Sequence, residues 1–188
     1  MRIVLGSKSP RRKEILGMVT EDFCVRVSDA DESYDDSIPL SEVPRLLAKR
    51  KAEALELEGD ELLICCDTVV ILENQLLGKP KTDGEAIEML RMLSGTTHSV
   101  VSGICVRTAE KTVCDSITTY VKMRQLEQRE IEGYVYKHHP TDKAGAYGIQ
   151  ESAGAFVEKI DGDFYNVVGL PLCRLTEILK NEFNISLV

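Results

Sequence analysis

The chain has 188 residues, enough for one domain or two small lobes around a shared core, and its 43% hydrophobic and 29% charged composition is that of a globular protein. A net charge of −8 excludes general binding to nucleic acid or to an anionic membrane surface, because both need a broad basic field. No apolar run approaches the ~20 residues that span a bilayer, and Lys8 to Lys13 interrupts any signal-peptide core at the N-terminus.

Arg2 to Gly6 reads as a strand ending in glycine. Ser7-Lys8-Ser9-Pro10-Arg11-Arg12-Lys13 then opens a helix, with Ser9 as N-cap and Pro10 at its first position, running to about Met18. Arg11 and Arg12 therefore fall in a first turn whose free N–H groups already disfavour cations. Either this is a basic surface that aids solubility, or hydroxyls, N–H groups and guanidinium forks converge there on an anion such as phosphate. Phe23 to Val27 alternates like a strand and leads into an acidic loop, residues 29 to 36, with five carboxylates in eight positions. That loop is either a solvated turn or a source of oxygen ligands for Mg²⁺.

Ser41 is placed to cap a helix running to about Glu58, with Val43, Leu46, Leu47, Ala54 and Leu55 on one stripe. Lys51 lies on that inward face, so it either snorkels past the core edge or meets a charged partner. Leu62 to Cys66 is a continuously apolar strand that breaks at Asp67-Thr68 and resumes at Val69 to Leu72. An aspartate in such surroundings needs a cation or a hydrogen-bond partner; the competing reading is an Asx-type turn.

Glu73-Asn74-Gln75 reads as a hairpin turn. Gly78 and Pro80 bend and stiffen the chain on either side of Lys79, which is held near a site or is an ordinary loop lysine. Asp83 is placed to cap a helix with Ala86, Ile87, Leu90 and Leu93 inward. Two long strands, His98 to Arg107 and Lys111 to Arg124, follow, then a helix from about Glu127 to Lys137. His138-His139 fits a helix C-terminus better than a metal site, since adjacent helical side chains do not face each other. The segment Asp142 to Ser152 carries glycines at 145 and 148, which let backbone approach a ligand, and Gln150, both donor and acceptor. Ala155 to Ile160 and a segment through Val168 read as strands, and a last amphipathic helix begins at Pro171. The six cysteines show no metal-finger spacing and read as reduced core residues of a cytosolic protein.

In order along the chain, Ser7-Lys8-Ser9-Pro10-Arg11-Arg12, Lys49-Arg50-Lys51-Ala52, Cys66-Asp67-Thr68-Val69-Val70, Gly78-Lys79-Pro80, Leu93-Ser94-Gly95, Lys143 to Gln150 and Val168-Gly169-Leu170-Pro171 resemble the Maf family of nucleoside triphosphate pyrophosphatases. The resemblance runs through nearly the whole length and implies a single domain over residues 1–188. It implies an α/β fold, a mixed twisted sheet with flanking helices and two lobes around a cleft, related to inosine triphosphatase (Maf/Ham1). It implies hydrolysis of dTTP and UTP, with CTP and modified pyrimidine nucleotides as further candidates, to monophosphate and pyrophosphate. The implied cofactor is a divalent metal, Mg²⁺ with Mn²⁺ or Co²⁺ as substitutes. The implied state is a cytoplasmic homodimer with no nucleic-acid or membrane partner.

By position, Asp67 resembles the catalytic base or metal holder, with Glu32 near the metal. Ser7, Arg11, Lys51 and Lys79 resemble the polyphosphate ligands. Arg12, Thr68 and Gln150 resemble the residues that separate dTTP/UTP from 7-methyl-GTP subgroups. Two positions depart from the pattern: the family usually has Ala at Gly6 and Gly at Glu151. The competing readings are a nucleotide-binding regulator of cell division and septum formation without essential hydrolysis, and a house-cleaning pyrophosphatase for 7-methyl-GTP or other modified nucleotides.

Overall fold

The computed structural model describes residues 1–27 and 29–187. Strands β1 (Arg2–Leu5), β2 (Phe23–Val25), β3 (Glu61–Leu72), β4 (Gln75–Leu77), β5 (Thr97–Arg107), β6 (Thr112–Met123) and β7 (Val157–Asp161) make one mixed sheet. Their order is β2-β1-β3-β5-β6-β7, with β4 paired onto β3. β1 runs parallel to both β2 and β3, whereas β3–β4 and β6–β7 are antiparallel. The helices are α1 (Pro10–Gly17), α2 (Val43–Glu53), α3 (Asp83–Leu93), α4 (Gln128–His138), α5 (Phe164–Val168) and α6 (Leu172–Phe183). No helix among the described residues is long and apolar enough to cross a membrane.

The chain divides into two compact units. The first holds residues 1–68, 102–117 and 165–188, and the second holds 69–101 and 118–164. In the first, Val4, Ala48, Ala52, Leu55, Leu63, Cys65 and Cys105 form a buried cluster where α2 lies on the sheet. Gly103 of β5 makes that contact possible: a Cβ there would come within 2.2 Å of backbone atoms of Pro44 and Arg45. Gly6 is confined in the same way: a Cβ on it would lie 2.2 Å from Cys65 Sγ. In the second unit α3 packs on α4; Ala86, Ile87, Leu90 and Leu93 of α3 are buried, as are Ile131 and Val135 of α4.

Several local expectations are corrected. β3 does not break at Asp67 but runs through it. α2 begins at Val43, without a side-chain cap, and ends at Glu53 instead of 58; Arg107 Nη1 donates to the carbonyls of Ala52 and Leu55 at 2.7 and 3.3 Å, taking up acceptors that a further turn would have used. Ala54 is consequently exposed, and Ala48 and Ala52 fill the stripe. Thr82, not Asp83, caps α3, its hydroxyl accepting from the Glu85 N–H at 3.2 Å. The segment through Val168, rich in strand-forming residues, is the helix α5; Gly169, at φ 124°, and Leu170 both donate backbone N–H to the Tyr165 carbonyl at 3.0 Å and close it.

Candidate active site

In the first unit, one ammonium joins two carboxylates. Lys51 Nζ lies 2.5 Å from Asp67 Oδ1 and 2.8 Å from Glu32 Oε1. The spacing that put Lys51 on the inward face of α2 brings it to the middle of β3. There Asp67 is only 15% exposed, and its charge is met by the lysine, which is why an aspartate survives inside an apolar strand without breaking it. Burial pulls the Lys51 ammonium down, but Asp67, then Glu32, outweigh it and hold the group above its ordinary value of 10.5. Among the described residues no group of three or more His, Cys, Asp or Glu could hold a metal. The pair Asp67 and Glu32 nonetheless fits a hard divalent cation, which takes one or two carboxylates and fills its shell with water and phosphate oxygens.

Arg12 encloses Asp67 from both sides along the chain. Its Nη1 donates to the Cys66 carbonyl at 2.7 Å and to Ser7 Oγ at 3.3 Å, its Nη2 to Thr68 Oγ1 at 3.2 Å and its Nε to the Gly169 carbonyl at 2.8 Å. Every guanidinium nitrogen is thus committed to the protein, and the two residues flanking Asp67 are tied to the start of α1. Thr68 Oγ1 also meets Ser102 Oγ at 2.8 Å, and Ser102 donates to the Asn166 carbonyl at 3.2 Å. Ser9 caps α1, its Oγ accepting from the Arg12 N–H at 3.5 Å, and Ser7 is buried beneath with its Oγ accepting from the Ser9 N–H at 3.2 Å. Arg11 leaves the same turn half-buried.

In the second unit, Lys79 and Gln150 are both exposed. Their two loops are stitched together by the Gly145 N–H donating to the Gly78 carbonyl at 3.1 Å. Gly145 takes φ 68°, and a Cβ there would press on Val70 at 3.0 Å, so glycine is required. Beside Gln150, Glu151 is the hub of a network. Its Oε1 lies 3.1 Å from the Nζ of buried Lys143, which also pairs with Asp142 at 2.8 Å. Its Oε2 accepts from Tyr134 OH at 3.3 Å. Tyr134 OH in turn accepts from the Gly148 N–H at 3.0 Å. The second departure from the family pattern is therefore a carboxylate gripping the loop that presents Gln150. His138 and His139 go to separate partners, Ser152 Oγ at 2.7 Å and Asp83 at 2.8 Å.

Sequence reading did not single out Lys143, Tyr134, Ser102 or the Gly169 carbonyl. Ser102, inside the apolar run Val100 to Val106, carried a readable signal of the same kind as Asp67, a polar group where apolar ones surround it.

The family described as Maf-like protein matches residues 2–182 of the chain. A dTTP/UTP pyrophosphatase of Alkaliphilus metalliredigens is 45% identical over 191 residues, covering 100% of this chain and 99% of that protein. A dTTP/UTP pyrophosphatase of Parabacteroides distasonis is 47% identical over 184 residues, covering 96% of this chain and 95% of the relative. Among solved structures, the Staphylococcus aureus Ham1 protein aligns with a TM-score of 0.45 at 19% identity, over 64% of this chain and 71% of that one.

Proposed function

The chain belongs to the Maf-like protein family, and from that premise we propose that it hydrolyses dTTP and UTP, joining water to the α-phosphorus and releasing the nucleoside monophosphate and pyrophosphate. The observation that carries the chemistry is the ammonium of Lys51 between Asp67 and Glu32, with Arg12 tying both neighbours of Asp67 to the start of α1.

Asp67 is the general base. Lys51 engages Oδ1, which leaves Oδ2 to take the proton of the attacking water. Lys51 balances the charge of Asp67 and serves as a phosphate ligand, its ammonium able to face a carboxylate and a phosphate oxygen together. Ser7 and Arg11, at the N-terminus of α1, bind polyphosphate oxygens where free backbone N–H groups favour an anion. Charge developing on those oxygens is where fixed cations act most strongly. A divalent metal, Mg²⁺ first, would be held by Asp67 and Glu32 and would supply Lewis-acid neutralisation of the phosphates. Lys79 as a phosphate ligand and Gln150 as a reader of the pyrimidine edge rest on the motif match. Thr68 and Arg12, the specificity positions of the motif match, act indirectly: Arg12 fixes the Thr68 hydroxyl and holds both neighbours of Asp67, so its loss lowers the rate as well as altering substrate ranking. The chain works as one catalytic domain, as a homodimer, in the cytoplasm.

The test is incubation of purified protein with Mg²⁺ and dTTP, UTP, CTP or 7-methyl-GTP, separating monophosphate plus pyrophosphate from diphosphate plus single phosphate. Pyrophosphate release from dTTP and UTP ahead of the others is expected. Single-phosphate release, tight binding without turnover, or preference for 7-methyl-GTP overturns the reading.

A further inference from the structure

Two thiols outside this machinery face each other in the first unit. The Thr108 N–H donates to the Lys111 carbonyl at 2.8 Å and closes the turn between β5 and β6, which are neighbours in the sheet. Three residues back along β5 is Cys105, and three residues forward along β6 is Cys114. Their sulfurs are 3.1 Å apart. Both are free thiols, Cys105 buried and Cys114 half-buried. A reagent thus reaches one sulfur first and finds the other directly behind it, the arrangement of an attacking and a resolving cysteine.

We propose that Cys105 and Cys114 are a reversible oxidation site, a cross-strand dithiol that closes to a disulfide on exposure to a peroxide. The Cys114 thiolate attacks one peroxide oxygen; the S–O bond forms, the O–O bond breaks, and the departing hydroxide takes up the thiol's proton as water. The Cys105 sulfur then attacks the Cys114 sulfenic acid. The S–S bond forms, the S–O bond breaks, and hydroxide leaves with the Cys105 proton as a second water. Two thiols are oxidised and one peroxide is reduced, so the step balances without a further reactant.

The surroundings suit this order of events. Contact with Cys105 holds the Cys114 thiol below the ordinary thiol range; burial and Glu53 oppose it, and Lys49 and Arg45 on α2 assist it. The same contact, followed by burial, pushes the Cys105 thiol up, which keeps it protonated until Cys114 is oxidised. Cys65 belongs to the same buried cluster but carries a thiol raised to about 12, burial first among the causes, which makes it a poor competitor. Cys173 is exposed and can join chains to one another, so it needs to be separated from the pair by variant. The proposal does not depend on the pyrophosphatase reading.

The full-length protein carrying Cys173→Ser, fully reduced and freed of reductant, is treated with graded hydrogen peroxide, alkylated and digested without reduction. Mass spectrometry should find a dominant peptide pair joined through Cys105 and Cys114, with two thiols lost per chain and both regained on dithiothreitol treatment. Cys114→Ser should abolish the link and leave Cys105 reduced at the same dose. Cys105→Ser should leave a Cys114 sulfenic acid that dimedone traps. Should that buried substitution fail to fold, the linked peptide and the Cys114 variant decide between them. The same dose given in urea should scatter pairings over all available thiols. An equally scattered native digest, Cys114 driven to sulfinic acid without a link, or retention of both thiols overturns the proposal.

Discussion

The two units hold their candidate functional groups by different means. In the first, Lys51 sits on a helix and Asp67 in the middle of a strand, and Arg12 grips backbone and side chain on both sides of that aspartate. In the second, Lys79 and Gln150 are carried by loops, which are tied by individual contacts: the Gly145–Gly78 backbone hydrogen bond, short-range backbone bonds, the side-chain network around Glu151, and the Tyr147–His98 and Ser152–His138 pairs. Groups on regular elements are placed by the whole packed core, whereas groups on loops depend on a few contacts that can be removed singly. Damage to the first unit's site should therefore appear in the rate of the chemical step, and damage to the second unit's network in discrimination between substrates.

The largest effect is expected at Asp67. Asp67→Asn keeps the shape of the side chain but removes the proton acceptor and one of the two negative partners of Lys51, leaving Glu32 beside the ammonium. Turnover on dTTP and UTP should fall by about 10²–10⁴-fold, with circular dichroism and the melting profile little changed. Pyrophosphate release within a few-fold of the parent would remove Asp67 from the chemistry. Next comes Arg12→Lys, which retains the charge but cannot span the Cys66 carbonyl, Thr68 Oγ1 and the Gly169 carbonyl together. A loss of about 10–100-fold in kcat, with KM changed less, is expected from misplacement of the groups flanking Asp67. A shift confined to substrate ranking would instead make Arg12 a direct reader of the base.

A smaller and different effect should follow Glu151→Gln. The neutral amide leaves Lys143 facing only Asp142 and weakens the hold on Tyr134. The ratio of kcat/KM for dTTP to that for CTP should change by about 2–10-fold, in keeping with the loss of one or two hydrogen bonds to charged groups, while the rate on the preferred substrate moves less. Equal losses on all substrates would place Glu151 with the first unit's residues in effect, and the contrast between the units would fail.

How much of this was legible beforehand follows the same contrast. The apolar run of β3 with a charge inside it, and a lysine on the buried stripe of a helix, are periodic signals, and they located Lys51 and Asp67 without any contact being known. Which of five loop carboxylates reaches Lys51 was not readable, because residues 29 to 36 have no period; only the matching family position singled out Glu32. The Arg12 bonds were invisible for another reason: two of their acceptors are backbone carbonyls, which leave no mark on composition. Glu151 and Lys143 lie eight residues apart in an irregular loop, so nothing in their spacing implied a meeting. The strand-forming residues of α5 misled because the turn at Gly169, a tertiary feature, decided their conformation.

Gly6 tests the packing of the first unit's core. Gly6→Ala restores the residue usual in the family, yet its Cβ would sit 2.2 Å from Cys65 Sγ beneath the helix that carries Lys51. Overpacking of this kind costs about 1–3 kcal/mol, so the melting temperature should fall by several degrees, read by calorimetry. Cys65→Ala in the same chain removes the opposing sulfur and should restore part of that loss. Additive effects of the two substitutions would mean that the sulfur is not what confines position 6.

The smallest effect concerns acid. Glu130 in the second unit, bound by Arg124 at 2.7 and 3.0 Å and accepting from the Glu127 N–H, is pulled down to about 2 from an ordinary 4.5, the hydrogen bond from Arg124 being the first cause. In the first unit Glu61, buried under the two-pronged grip of Arg26 at 2.9 Å, is lowered in the same sense by that bond first. A carboxylate whose folded value is depressed adds stability that is present above its unfolded value and lost as pH falls toward the folded one. Melting temperature should therefore decline from pH 4.5 toward pH 2. Glu130→Gln should flatten only a minor part of that decline, because the pair is solvent-exposed and screened. Glu61→Gln should flatten more of it, since Glu61 is buried while its arginine is only partly exposed. If the two variants flatten the profile equally, burial is not what separates these ion pairs.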